Sequence, residues 1–164
     1  MPVEIERKFL VAGDGWRGQV ARSELFRQGY LATTATSSVR VRVGGGRGWL
    51  GIKGRVVGPS RAEYEYEIPL AEANEILDTM CDEGRLEKYR HWAVVGDREW
   101  EIDEFLGRNA GLVVAELELE DEAAQFARPS WLGREVTDDV RYYNASLAQR
   151  PYDGWSGLAG GEVA

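Results

Sequence analysis

Residues 39–43 read VRVRV, and this short stretch decides the fold. Successive side chains of a β-strand point to opposite faces, so Arg40 and Arg42 share one face and the three valines share the other. The sequence GGGRG at 44–48 follows as a turn signal. The pattern therefore predicts a strand with one charged face and one apolar face, ended by a tight turn.

The same alternation recurs along most of the chain. Further strands are predicted at 3–11, 25–32, 49–55, 62–69, 85–95, 98–105 and 113–120. Helices are predicted at 71–80, which contains good helix formers, and at 139–149. No repeat of fixed period and no long linker interrupts the chain. We therefore expect one domain over residues 1–150, followed by a loosely ordered glycine-rich tail at 151–164.

The charged faces of these strands are sorted by sign. Cations occupy alternating positions at Lys8, Arg40, Arg42, Lys53, Lys88 and Arg90. Carboxylates form pairs two residues apart at Glu4 and Glu6, Glu63 and Glu65, and Glu116 and Glu118. One such strand alone would usually turn its polar face to water. A solvated face would, however, mix Ser, Thr, Gln and Lys, so the whole set favours a mainly β fold with charges inside a barrel and helices outside. An antiparallel sandwich stays open at this point.

Segregated patches of both signs suit a polyphosphate that carries a metal ion. The guanidinium of arginine grips phosphate oxygens with a planar fork of donors, and lysine adds a compact charge. Mg²⁺ binds a few carboxylates together with phosphate oxygens and water. Carboxylates two residues apart on a strand stand about 7 Å from one another and face the same way. The pattern therefore indicates a site for a metal-bound triphosphate.

Composition excludes several other classes of protein. The net charge is −8, which argues against nucleic acid as the main partner. No apolar run is long enough for a membrane span, and the charged N-terminus does not look like a secretory signal. The single cysteine, Cys81, excludes an intramolecular disulfide. A cytoplasmic protein with no membrane partner is the default expectation, and a homodimer stays open.

The same residues resemble a known family. EIERK at 4–8 has the form of the ExExK signature of the CYTH family, also called triphosphate tunnel metalloenzymes. Similar segments follow in family order: VRVR at 39–42, GIKG at 51–54, EYEYEIP at 63–69, EKYR at 87–90, WEID at 100–103, AELEL at 115–119, EVT at 135–137 and RYYN at 141–144. The likeness covers roughly residues 3–149 and is closest to the short bacterial members.

The resemblance implies an eight-stranded antiparallel closed β-barrel that forms a tunnel, with a requirement for Mg²⁺ or Mn²⁺ and a triphosphate substrate. By the resemblance, the metal ligands are Glu4, Glu6, Glu116, Glu118 and the acidic tunnel residue Asp103. The phosphate-binding residues are Lys8, Arg40, Arg42, Lys53 and Arg90. The catalytic group comprises Glu6, Glu63 and Glu65, which place a metal or a water, and Lys88, which matches a family lysine that helps activate the attacking water.

Three functions are compatible with such a tunnel. The first is metal-dependent hydrolysis of inorganic triphosphate, or of a similar small triphosphate such as thiamine triphosphate, with release of orthophosphate. The second is a class IV-type adenylate cyclase that converts ATP to cyclic AMP and pyrophosphate. The third is a non-catalytic domain that binds polyphosphate or nucleotides. We rank the hydrolase first because the resemblance is closest to the short bacterial members.

Overall fold

A computed structural model describes residues 2–155, and its strands join a single antiparallel sheet. The strands are β1 (Val3–Val11), β2 (Val20–Thr33), β3 (Ser37–Gly44), β4 (Arg47–Gly54), β5 (Ser60–Ile68), β6 (Arg85–Val95), β7 (Arg98–Phe105), β8 (Val113–Glu118) and β9 (Leu132–Glu135). The helices are α1 (Leu70–Thr79) and α2 (Asn144–Gln149). None of the helices between residues 2 and 155 has the length and apolar character that a membrane span requires.

The sheet closes on itself through β1. The strand order is β5-β4-β3-β2-β6-β7-β8-β1-β9, and the start of β1 pairs with β5 while its later part pairs with β8. Eight strands thus form a closed barrel, which confirms the predicted fold. The additional strand, β9, adds to the end of β1 at Phe9 and Val11. It was not predicted, since its four residues, LGRE, show no clean alternation.

The apolar side chains that alternate with the charged residues point outward. Other parts of the chain cover many of them, while Ile52 and Tyr66 stay exposed. Helix α1 lies across β3 and β4 and buries Ala73 and Leu77 against Val41. On the other side, Phe9 and Trp100 pack edge to face at 5.8 Å, and Trp131 from the segment before β9 packs on Trp100 at 5.6 Å. Two hydrophobic clusters therefore lie outside the barrel wall. A third, which includes Leu10, Leu86, Phe105 and Val114, lies on the inward faces of the strands, beside the charged residues.

The C-terminal segment folds differently from the predicted continuous helix at 139–149. A 3₁₀ turn over Val140–Tyr142 is followed by Tyr143, whose φ of −69° and ψ of 140° are extended, and only then does α2 begin. The break lets Tyr142 and Leu147 both reach a buried cluster on the barrel wall. Trp155 then packs edge to face on Tyr142 at 5.2 Å. Residues 156–164 of the predicted loose tail lie outside the described residues.

Gly84 is the point at which the start of β6 and the end of α2 come close together. Its φ is +119°, and a Cβ there would lie 2.6 Å from the carbonyl oxygen of Ala148. We expect Gly84→Ala to destabilise the protein by about 2–4 kcal/mol in urea unfolding, through left-handed strain plus collision with backbone. Gly96→Ala is the matched control, because Gly96 also has a positive φ, +65°, but nothing within 4 Å. Equal losses in the two variants would contradict a steric role for Gly84.

Candidate active site

The inward faces of the barrel strands surround one cavity of about 680 Å³. The alternation of each strand places its charged residues on this face, and the strand register brings opposite signs together. Lys8 lies beside Glu116, for example, and Lys53 lies beside Glu63. The cavity is therefore lined by charged groups from all sides, within a wall whose outer surface is apolar.

Three carboxylates form a compact acidic cluster in this cavity. One oxygen each from Glu6, Glu101 and Glu116 lies within 4.8 Å of the other two. Burial and the neighbouring charges of Glu116 and Glu4 raise the pKa of Glu6 well above its usual range. Burial also raises the pKa of Glu101. Burial beside other carboxylates thus disfavours the charged forms of Glu6 and Glu101.

Two members of the acidic cluster have cationic partners. Glu101 lies 3.3 Å from Arg90 Nη1, and Glu116 pairs with two cations. Its carboxylate lies 3.5 Å from Lys8 Nζ and 3.6 Å from Arg90 Nη2. Burial acts to raise its pKa, but these two cations and Lys88 hold it well below its usual range. Glu6 has no such ion pair among residues 2–155. Three carboxylates that lie close together, one of them without a cationic partner, can bind a hard divalent ion such as Mg²⁺ or Mn²⁺.

Opposite the acidic cluster, Arg40 and Arg42 project side by side from β3. Each donates a long hydrogen bond of 3.3 Å from Nη2 to the same oxygen of Glu65. Arg42 Nε is buried and has no hydrogen-bond partner within residues 2–155. Burial and the like charges of Arg40 and Arg90 lower the pKa of Arg42 to about 10. This part of the cavity therefore has unused donors and excess positive charge, which are the requirements of an anion site.

A second basic group lies near the start of β1. Lys53 Nζ lies 3.1 Å from Glu4 and 3.3 Å from Glu63. Arg61 Nε lies 3.6 Å from the same Glu4 carboxylate. Burial alone would raise the pKa of Glu4, but the attraction of Lys53 and Arg61 lowers it. These side chains complete the ring of alternating charge around the cavity.

Lys88 lies in the cavity wall and is almost completely buried. Its Nζ donates to Asp103 at 2.7 Å and to the side-chain oxygen of Asn144, at the start of α2, at 2.8 Å. Arg90 makes two further hydrogen bonds to Asp103, at 2.8 and 2.9 Å. Burial lowers the pKa of Lys88 to about 8, an effect that Asp103 partly offsets and Arg90 reinforces. The carboxylate of Asp103 is fully buried and bound by two cations.

The family model for the CYTH domain matches residues 2–152. This chain belongs to the CYTH family. It is 51% identical over 152 residues to the inorganic triphosphatase of Acetivibrio thermocellus, covering 93% of this chain and 97% of that protein. It is 41% identical over 152 residues to the inorganic triphosphatase of Nitrosomonas europaea, covering 88% of this chain and 96% of that protein.

Solved structures agree with this assignment. The crystal structure of the inorganic triphosphatase NE1496 matches the CYTH domain described here with a TM-score of 0.65 at 35% identity. The match covers 91% of this chain and 96% of that chain. Because the alignment extends over nearly the full length of both, the whole barrel is shared and not only the signature motifs.

The CYTH domain brings nearly all of the predicted site residues into the one cavity. The cavity-lining residues among them are Glu4, Glu6, Lys8, Arg40, Arg42, Lys53, Glu63, Glu65, Lys88, Arg90, Glu116 and Glu118. The predicted metal ligand Asp103 is placed differently, since it lies behind the cavity surface and its carboxylate is bound by Lys88 and Arg90. Its position on the inward face is as expected, but the acidic cluster contains Glu101 in its place.

Four further cavity residues were not predicted as site residues. Glu101 could have been found, because it shares its face of β7 with Asp103 in the sequence pattern. Arg61 precedes the predicted strand at 62–69 and continues its charged face. Tyr143 and Asn144 do not belong to an alternating strand pattern in the sequence. They reach the cavity because the helix is interrupted by the extended backbone of Tyr143, just before α2. Lys8 Nζ lies 5.4 Å from the centre of the Tyr143 ring.

Proposed function

We propose that this chain hydrolyses inorganic triphosphate to pyrophosphate and orthophosphate, with Mg²⁺ or Mn²⁺ bound in the barrel. One observation carries the proposal. Arg42, whose buried Nε has no hydrogen-bond partner within residues 2–155, lies across one cavity from a cluster of three carboxylates. A triphosphate with its divalent cation neutralises both groups at once. Two relatives named inorganic triphosphatase, at 51% and 41% identity, support the same reaction.

In this proposal the cations of the cavity bind the triphosphate oxygens. Arg40 and Arg42 supply forked donors, and phosphate replaces their long contacts to Glu65. Lys8, Lys53 and Arg90 contribute charge from three other strands. Because the interior is shielded from bulk water, each of these interactions is stronger than it would be on an open surface.

The acidic cluster would hold the divalent cation. Glu6, Glu101 and Glu116 are the ligands we assign, while Glu4 and Glu118 line the cavity nearby. When bound, the cation withdraws electron density from the phosphate oxygens and neutralises the charge that develops during transfer. Glu6 is buried beside Glu116 and Glu4, so a bound cation would offset the cost of its negative charge.

The hydrolytic step requires a water in line with a terminal phosphorus. The water oxygen forms a bond to that phosphorus, the bond to the bridging oxygen breaks, and pyrophosphate leaves with the electron pair. Of the three N–H donors of Lys88, two bind Asp103 and Asn144, and the third is left for a water or phosphate oxygen in the cavity. We assign Lys88 the role of orienting that water and stabilising negative charge. We assign Glu63 and Glu65, which line the same cavity, to accept a proton from that water or to hold a further water.

The proposal extends to the class of substrate, the location and the assembly of the protein. The net charge of −8 supports a small-molecule substrate over nucleic acid. We further propose a cytoplasmic location, no membrane partner and assembly as a homodimer.

Product analysis tests the proposed function against its alternatives. Purified protein is incubated with inorganic triphosphate and with ATP, each with Mg²⁺, with Mn²⁺ and with excess EDTA. We expect orthophosphate from triphosphate, much less from ATP, and none with EDTA. Glu116→Gln should be inactive, and Glu104→Gln is the matched control, since Glu104 contacts Arg17 and His91 on the outside of the barrel.

Two other results would assign another function. Cyclic AMP and pyrophosphate formed from ATP would make the protein a cyclase. Binding of triphosphate without turnover, under every metal condition, would make it a non-catalytic binding domain.

A further inference from the structure

Aromatic side chains lie behind Arg42 on the inward face of the barrel. Phe26 contacts Trp49 and Trp92 edge to face, with ring centres 6.4 and 6.2 Å apart. Among residues 2–155 none of these three rings lines the cavity, so the cavity ends before them. The guanidinium carbon of Arg42 lies 4.7 Å from the centre of the Phe26 ring and 5.4 Å from that of Trp49. Arg42 is thus held between an aromatic pair and the open cavity.

The Phe26 ring has a fixed place. It lies directly over Gly44, its cross-strand partner on β3, and a methyl group at position 44 would collide with it. Trp49 and Trp92 close it in from β4 and β6. Phe26 itself is buried. The ring therefore cannot swing away from Arg42 without displacing its neighbours.

An aromatic face orients an arginine in a way that a carboxylate cannot. A carboxylate fixes a guanidinium by accepting from its N–H groups and neutralising its charge, so it competes with phosphate. A ring attracts the cation through its π face and leaves the N–H groups free at the edge. Arg90 shows the first arrangement, with hydrogen bonds of 2.8 and 2.9 Å to Asp103. Arg42 shows the second, with an unpartnered Nε among the described residues and only a long contact to Glu65.

We propose that Phe26 and Trp49 are positioning residues that hold the Arg42 guanidinium ready for a phosphate group while leaving its donors free. The inference rests on the proposed function, because it assigns the ligand of Arg42 as a phosphate of the substrate. It adds two residues that touch neither substrate nor metal and act through Arg42. The Phe26 ring also lies 5.9 Å from the guanidinium carbon of Arg90, but Asp103 already fixes that side chain.

The test measures the dissociation constant of inorganic triphosphate by calorimetry, in EDTA, so that neither metal binding nor turnover enters. Phe26→Leu keeps an apolar side chain and removes the ring, and we expect it to raise the dissociation constant roughly five- to thirty-fold. Trp49→Leu should weaken binding by a smaller factor, while Trp49→Phe, which keeps a ring, should stay close to the unsubstituted protein. The Trp49 pair serves as the second test, because this half-buried position tolerates substitution better than Phe26.

A double-mutant cycle separates positioning from a general structural effect. In an Arg42→Gln background, Phe26→Leu should change the dissociation constant by less than about twofold, since the residue on which it acts is gone. Phe126→Leu is the control, because that ring lies 5.1 Å from Arg7 outside the tunnel, and triphosphate binding should be unchanged. Equal fold-changes in both Arg42 backgrounds, or no change in Phe26→Leu and Trp49→Leu, would overturn the inference. If the unsubstituted protein binds triphosphate neither in EDTA nor with Mg²⁺, the proposed function fails and the inference with it.

Discussion

Glu6→Gln is expected to lower triphosphate hydrolysis by about 100-fold or more and, at the same time, to stabilise the metal-free protein. Glu6 belongs to the acidic cluster but has no ion-pair partner among residues 2–155. Burial, together with repulsion by Glu116 and Glu4, raises the pKa of Glu6, so its charged form is unfavourable in the metal-free protein. The amide of glutamine removes the repulsion and also removes a metal ligand.

The two effects of Glu6→Gln are measured separately. Initial rates of orthophosphate release with saturating Mg²⁺ give the loss of activity. Urea unfolding in EDTA gives the free energy of unfolding, which should rise by about 1 kcal/mol. Glu104→Gln, on the outward face, should leave the rate unchanged. If Glu6→Gln keeps its activity, Glu6 is not a metal ligand. If Glu6→Gln lowers the free energy of unfolding in EDTA, the Glu6 carboxylate is not electrostatically unfavourable in the metal-free protein.

Asp103→Asn is expected to cause the largest loss of stability of any substitution in the tunnel. Asp103 is fully buried and accepts hydrogen bonds from both Lys88 and Arg90. Asparagine keeps an acceptor but not the charge, so two buried cations lose their shared counter-ion. Breaking a buried ion pair by removing one partner costs about 3–5 kcal/mol.

The same substitution distinguishes the two roles open to Asp103. As a counter-ion it should change the free energy of unfolding by similar amounts with and without Mg²⁺, measured by urea denaturation. As a metal ligand it should mainly reduce the stabilisation that Mg²⁺ gives. Asp139→Asn is a suitable control, because its carboxylate binds Arg141 on the partly exposed C-terminal segment. If Asp103→Asn lowers the free energy of unfolding only when Mg²⁺ is bound, Asp103 is a metal ligand.

The barrel strands could be predicted from the sequence because the alternation of side chains between the two faces of a strand depends only on neighbouring residues. Each run of alternating charge, such as VRVRV at 39–43, became a strand with its charges inward. The sorting of charges by sign then indicated which face lines the cavity. Local signals were weakest where the structure depends on distant contacts, as in β9, which pairs only with the end of β1.

The division of roles among the acidic residues could not be read from alternation. Asp103 and Glu101 share a face, and only the register with β6 and β8 decides their partners. Asp103 lies opposite Arg90, whereas Glu101 lies opposite Glu116 and so joins the acidic cluster. Asn144 reaches Lys88 because the backbone is extended at Tyr143, between the 3₁₀ turn and α2, and no periodic pattern in the sequence marks this interruption of the helix. The sequence thus predicts which residues line the charged interior, whereas the register between strands determines which of them become neighbours.

The most direct test of the account is a ³¹P NMR time course of inorganic triphosphate with the purified protein and Mg²⁺. We expect the triphosphate signals to disappear while pyrophosphate and orthophosphate appear in equal amounts, and we expect EDTA to stop the reaction. Triphosphate that stays intact with Mg²⁺ and with Mn²⁺, although the protein binds it, would contradict hydrolysis and leave only a binding tunnel.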